Sequence, residues 1–246
     1  MRLIRVMCSG RVDLAHIFRA FVNGVDGVFI GACHLNECNY ITHGNYHAQN
    51  TVLLGKRILE HVGLNPERLR IQFMSGAEAN VFVESVNECI RKVKEIGPLG
   101  KGKGESVGKD ELKSRLADVA RLVPYIKVVN QEKLTSRLQD PDECEKLFTK
   151  EEIDKLFSDV VSYYVDPEKC QACMTCARRC PVEAIISAKN QVHIVDQEKC
   201  IKCGTCFEVC PPRFGAVTKI VGMPVPPPLP EDKRAVVRKA KEKEVA

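Results

Sequence analysis

Two stretches, CQACMTCARRCP at residues 170–181 and CIKCGTCFEVCP at residues 200–211, decide how the second half of the chain folds. The first places Cys170, Cys173, Cys176 and Cys180 before a proline, and the second places Cys200, Cys203, Cys206 and Cys210 before another. Cysteines at such intervals on a tight loop converge on three iron corners of a cubane. The fourth cannot fold back onto that cluster and reaches across to its neighbour. The spacing therefore predicts two [4Fe–4S] clusters. One takes Cys170, Cys173, Cys176 and Cys210, and the other takes Cys200, Cys203, Cys206 and Cys180. Paired zinc knuckles are the alternative, since C-x2-C is also a zinc spacing. Zinc has no use for a third cysteine in the run or for the Cys-Pro ending. The residues leading into each run also repeat, VDPEKC at 165–170 and VDQEKC at 195–200, which predicts two similar units with a pseudo-twofold relation. Gly204 and Thr205 are small enough to let backbone amides approach cluster sulfurs.

This double motif resembles the bacterial two-cluster ferredoxins from about Tyr164 to Val221. The resemblance implies an α+β two-cluster ferredoxin domain, bounded here at residues 164–222. Two clusters with no catalytic constellation beside them would make a wire for electrons.

The rest of the composition agrees with a reduced, metal-binding chain. Thirteen cysteines in 246 residues are many, and the MRLIRVMCSG start lacks the apolar run and cleavage site of a signal peptide. No stretch reaches the roughly 18 uninterrupted apolar residues of a spanning helix. The expected location is cytoplasmic, where clustered cysteines read as metal ligands and not as disulfides. A net charge of +5 and the absence of Trp give neither a concentrated basic stripe nor a stacking platform for nucleic acid.

The first hundred residues alternate short apolar runs with helical spacing. Strands are expected at Leu3 to Met7, Gly27 to Ala32 and Leu69 to Met74. Helices are expected at Asp13 to Val22, His47 to Val62 (stopped by Gly63), and from a Ser75 cap to Ile96. That order predicts an α/β parallel-sheet domain of Rossmann or flavodoxin type, with function at the carboxyl ends of its strands. Gly97 to Gly108 reads as a glycine-lysine linker. GPLGKGK at 97–103 nearly matches a phosphate-binding loop, but Gly104 replaces the magnesium-binding Ser or Thr and the stretch follows a helix. Gly10 alone does not make a dinucleotide fingerprint. Thr42 to Tyr46 offers polar groups with no acid or base to partner them. Residues 105–163 read as a charged helical connector with a Thr149/Glu152 capping box, and 223–246 as a proline-rich basic tail, extended unless a partner holds it.

Five cysteines remain. Cys89 reads as a small buried hydrophobe and Cys144 as an incidental thiol. Cys8 and Cys33 each follow a predicted strand, and Cys38 shares the loop of Cys33, so on a parallel sheet the three sulfurs can converge. His34, His43 and His47 lie nearby and are read as surface or hydrogen-bonding residues.

CSGR at 8–11, GVDGVFIGACHLNECNYITHGNYHA at 24–48, LNPERLRIQFMSGAEANVFVESVNE and the GPLGKG ending resemble the delta subunit of methyl-viologen-reducing [NiFe]-hydrogenase. The resemblance covers residues 1–104. It implies a docking domain with a [2Fe–2S] cluster on Cys8, Cys33 and Cys38, and a partner flavoprotein of the heterodisulfide-reductase alpha type that bifurcates electron pairs. The chain would then relay electrons between that flavoprotein and another redox module, such as a hydrogenase, a formate dehydrogenase, a methylenetetrahydrofolate reductase or a benzoyl-CoA reductase. Typical relatives carry an earlier cysteine- or selenocysteine-bearing segment, so a translation start upstream of Met1 and a fourth ligand from there are expected. The competing reading is a self-contained oxidoreductase with a catalytic site in the N-terminal domain, and a zinc-bearing nucleic-acid module is a third.

Overall fold

The structure, a computed structural model, describes residues 1–40, 43–105 and 107–236 and divides into two units, Met1–Phe157 and Ser158–Ala246. In the first unit, Asp13 caps helix α1 (Leu14–Val22) by accepting from the Ala15 N–H, while the His16 ring accepts from the Asp13 N–H. Leu14, Ile17, Phe18 and Phe21 recur at helical spacing and are fully buried, each worth about 1.5–3 kcal/mol relative to exposure. Strand β1 (Val28–Ala32) leads to α2 (Asn45–Val62), which stops at Gly63 because that residue turns left-handed, with φ 87°. A short 3-10 turn at Pro66–Arg68 feeds β2 (Leu69–Phe73), which pairs parallel to β1 with Val28 opposite Leu69. Helix α3 (Ala79–Ile96) follows.

Leu3 to Met7 forms no strand. It runs as exposed chain, with Leu3 78%, Ile4 80% and Met7 93% exposed, so the parallel sheet of the described residues has two strands. Apolar β-rich composition supplies a preference for extended backbone but not a pairing partner. Ser75 does not cap α3 either. Its N–H donates to Glu78 and its hydroxyl accepts from Ala77, forming a turn that delays the helix to Ala79.

The glycine-lysine stretch is not a free linker. It winds around an ion pair between Arg68 and Glu105, both side chains fully buried. Arg68 also donates to the carbonyls of Asp26, Gly97 and Pro98. A Cβ at Gly102 would lie 2.5 Å from the Arg68 guanidinium.

Four further helices follow: α4 (Lys109–Val129, running through Pro124), α5 (Gln131–Leu134), α6 (Pro141–Lys146) and α7 (Lys150–Ser158). The Thr149/Glu152 capping box forms as expected. These helices are not a separate connector. Leu112, Leu116, Val119, Val123 and Ile126 of α4, with Phe148 and Ile153, share one core with α1 and α2. An apolar stripe lies hidden within the charged composition.

In the second unit, β3 (Val161–Val165) leads to the short helix α8 (Thr175–Arg179), then β4 (Ile185–Ile186), β5 (Ile194–Val195), α9 (Thr205–Glu208) and β6 (Val217–Val221). β3 pairs antiparallel with β6 and β4 with β5. The sequence repeat is a structural repeat. Asp166 and Asp196 each accept the N–H of the residue two further on, and their carbonyls accept from Cys170 and Cys200. The first part of the proline-rich tail is held by its own unit. Val192 donates to the Arg234 carbonyl and Val236 to that of Asn190. Residues 237–246 lie outside the described residues, as do Ile41 and Thr42. No helix of the described residues is long and apolar enough to cross a membrane.

Candidate functional site

The two cysteine runs fold into matching loops. Ala172 and Lys202 take left-handed backbone at φ 49° and 58°, as do Met174 and Gly204 at 64° and 85°. These turns curl each run so that its third cysteine enters a one-turn helix, Cys176 in α8 and Cys206 in α9. Gly204 stands where Met174 does in the first run because a Cβ there would lie 2.9 Å from the Tyr163 hydroxyl.

The fourth cysteine of each run lies within electrostatic reach of the other run. Burial pushes the Cys176 thiol up to about 11, with Cys170, Cys173 and the distant Cys210 adding like-charge repulsion. Burial likewise raises Cys200, and there the cysteine neighbours are Cys203 and Cys180. Cys206 is pushed up to about 12 by burial, with Cys200, Cys176 and Cys203 around it. Backbone donors already point at two of these sulfurs. The backbone N–H of Ala184 reaches Cys180 at 3.2 Å and that of Lys202 reaches Cys200 at 3.4 Å. The Cys173 thiol donates to the Thr175 hydroxyl at 3.4 Å, and the Thr205 hydroxyl lies 3.3 Å from Cys203 Sγ. Cys170, Cys176 and Cys206 belong to the core of the unit itself.

Among the described residues, no group of three or more His, Cys, Asp or Glu side chains is arranged to hold a metal ion. Eight cysteines in two matching loops with N–H groups directed at sulfur suit a larger, anionic cluster, whose sulfurs attract N–H and O–H groups.

In the first unit the structure brings Cys8, Cys33 and Cys38 together beyond the end of β1. Burial raises the Cys33 thiol, and the adjacent Cys38 raises it further by hydrogen bond and charge. Burial opposes ionisation of Cys38 as well. The backbone N–H groups of Tyr40 and Asn45, with the Cys33 and Cys8 side chains, outweigh it and hold this thiol below the ordinary range. Asn45 opens helix α2, so its N–H belongs to the donor-rich end of that helix. Its side chain donates to the carbonyls of Cys33 and His34, at 3.2 and 2.6 Å, and pins the cysteine loop to the helix.

Two glycines allow this approach. A Cβ at Gly10 would meet the His43 carbonyl oxygen at 1.9 Å, and one at Gly44 would meet Cys38 Sγ at 2.4 Å. His34 is occupied by Glu78 at 2.7 Å, and His47 lies 3.1 Å from the Leu134 carbonyl. Cys89 is buried as expected, whereas Cys144 is no incidental surface thiol. It is buried in α6 and accepts from Gln49 at 2.8 Å.

Sequence reasoning missed His193. It is buried between the repeats with Nδ1 3.2 Å from Cys176 Sγ, and burial holds its pKa below the ordinary histidine range.

Comparison with known proteins matches two separate stretches of the chain. Residues 1–97 match the model of the methyl-viologen-reducing hydrogenase delta subunit, and residues 163–217 match that of a 4Fe-4S dicluster domain. The chain is 45% identical over 98 residues to the vhu iron-sulfur subunit of F420-non-reducing hydrogenase from Methanococcus maripaludis, covering 40% of this chain and 72% of that protein. It is 40% identical over 99 residues to the iron-sulfur subunit of F420-non-reducing hydrogenase from Archaeoglobus profundus, covering 40% and 72%. It is also 40% identical over 100 residues to a subunit of the ferredoxin/F(420)H(2)-dependent CoB-CoM heterodisulfide reductase of Methanosarcina acetivorans. That match spans 41% of this chain but only 12% of the reductase protein.

Proposed function

Because the chain belongs to the methyl-viologen-reducing hydrogenase delta subunit family, we propose that it is an electron-relay component of a hydrogenase- or heterodisulfide-reductase-type complex. It passes electrons between a flavoprotein of the heterodisulfide-reductase alpha type and a further redox partner. What supports this reading is the pair of matching four-cysteine loops, with backbone N–H groups directed at Cys180 and Cys200, in the stretch that matches a 4Fe-4S dicluster domain. Cys170, Cys173, Cys176 and Cys210 hold one [4Fe–4S] cluster, and Cys200, Cys203, Cys206 and Cys180 hold the other. When bound, each cubane supplies one-electron transfer.

The chain's own part is electrostatic. The buried thiols are raised by desolvation, so cluster assembly displaces their protons. The N–H groups of Lys202 and Ala184 and the hydroxyls of Thr175 and Thr205 then stabilise negative charge on the sulfurs. Cys8, Cys33 and Cys38 form a third site with a [2Fe–2S] cluster, completed by a ligand from outside that trio. The cysteine loop of the first unit is the docking face for the flavoprotein. Support for that assignment comes from the relatives of this unit, which include a CoB-CoM heterodisulfide reductase protein itself.

The test is anaerobic purification of the full chain, iron and acid-labile sulfide counts, and EPR after reduction. About ten irons with coupled [4Fe–4S] signals and a separate [2Fe–2S] signal are expected. About eight irons would restrict the clusters to the second unit. Zinc in place of iron would overturn the reading.

A further inference from the structure

The two halves of the second unit repeat the same cysteine spacing, yet they differ in the ring that stands beside each cysteine run. Aligning Val165-Asp166 with Val195-Asp196 sets Tyr163 opposite His193. Tyr163 stands over the second cysteine run, since its hydroxyl closes the space at Gly204. His193 stands over the first, with its ring nitrogen Nδ1 3.2 Å from Cys176 Sγ. The pseudo-twofold relation thus gives one cysteine loop a phenol neighbour and the other an imidazole.

His193 is held in place from both sides. It is 1% exposed and sits between Val192 and Ile194. Val192 donates its N–H to the Arg234 carbonyl of the tail, and Ile194 pairs with Ile186. Val225, Pro226 and Leu229 close over it and leave a cleft of about 40 Å³ lined by His193, Tyr164 and Gln197. Once Cys176 ligates iron its sulfur is an acceptor only, so the 3.2 Å contact then needs its proton on Nδ1. In a dry site such a bond is stronger than the same bond in water.

We infer that His193 is a positioning residue that donates its Nδ1–H to Cys176 Sγ and raises the reduction potential of the cluster on the Cys170 run relative to its neighbour. This rests on the proposed ligand role of Cys176. The physical reason is that the reduced cluster carries one more negative charge, so a fixed donor at a ligand sulfur stabilises the reduced state more than the oxidised one. The asymmetry between Tyr163 and His193 then sets a potential difference between two clusters that the repeat would otherwise make alike.

The experiment uses the full chain with its clusters, in wild type and in the His193→Phe, His193→Leu and His193→Gln variants. Iron is counted first, and both [4Fe–4S] potentials are then measured by EPR-monitored redox titration. Wild-type protein with fewer than about eight irons would sink the ligand assignment itself, before His193 is tested. With iron at the wild-type level, His193→Phe and His193→Leu should each lower one of the two potentials. The expected size is about a tenfold change in the oxidised-to-reduced ratio, or about 59 mV for one electron. His193→Gln, which keeps an N–H, should recover most of it. Two unchanged potentials in both donor-less variants, an equal shift of both clusters, or loss of iron in every variant would overturn the inference. Loss of iron throughout would make His193 a packing residue.

Discussion

Replacing Glu105 with Gln removes a charge from the most enclosed ion pair of the first unit. Oε1 accepts from Arg68 Nε at 2.6 Å and from the Asn65 N–H at 2.9 Å. Oε2 accepts from Arg68 Nη2 at 2.8 Å and from the N–H groups of Gly100 and Gly102 at 3.0 and 3.2 Å. An amide in that place turns one of its two ends into a donor facing other donors, and it leaves Arg68 charged and unpaired in the interior. Breaking one partner of a buried pair costs about 3–5 kcal/mol. At about 2–4 °C per kcal/mol for a chain of this size, the first unit should melt about 6–20 °C lower.

The assay is helix ellipticity on heating, since the long helices α1 to α4 lie in this unit. Burial pushes the Glu105 carboxyl up, but the Arg68 hydrogen bond and the backbone donors outweigh it and leave it below the ordinary glutamate range. A carboxyl depressed by folding contributes stability above its unfolded value and loses it as pH falls through the folded value. The gap between wild type and Glu105→Gln should therefore be full at neutral pH and narrow in acid. A variant melting within about 2 °C of wild type at neutral pH would refute the argument that this pair holds the glycine-rich loop.

Cys210→Ala should reduce iron from about eight to about four in the second unit and remove the cluster of the Cys170 run, while Cys180→Ala should remove that of the Cys200 run. Iron counts with EPR distinguish these from loss of the mutated run's own cluster, which would refute the crossing. Gly44→Ala places a Cβ 2.4 Å from Cys38 Sγ and from the Tyr40 carbonyl oxygen. It should abolish any [2Fe–2S] EPR signal and spare the [4Fe–4S] signals, and an unaltered spectrum would count against a site on the cysteine trio. Chelation of iron should unfold the second unit, because Cys170, Cys176 and Cys206 are members of its small core. Hydrogen exchange in β3 and β6 checks this, and full protection in the apo chain would refute it.

What the sequence disclosed followed the range of the interactions involved. The cysteine runs were legible because ligand spacing is local. The core face of α1 and the Thr149/Glu152 box were legible for the same reason, since their partners lie within a helical turn. Leu3 to Met7 misled because a strand exists only where another strand takes its hydrogen bonds. Residues 97–105 read as a linker because their order depends on Arg68, 37 residues away from Glu105 in the chain. Glycine there serves close approach to a guanidinium, which composition cannot distinguish from flexibility.

His193 is the instructive case. A single histidine in QVHIVD carries no signal by type, and its sulfur partner is 17 residues distant. The signal lay in the repeat. Once Val195-Asp196 is laid on Val165-Asp166, Tyr163 and His193 share a position, and each repeat's residue faces the other repeat's neighbourhood just as each fourth cysteine does. A duplicated domain makes its halves comparable position by position. Where they differ next to a sulfur, the difference is a place where two otherwise equivalent clusters acquire separate potentials.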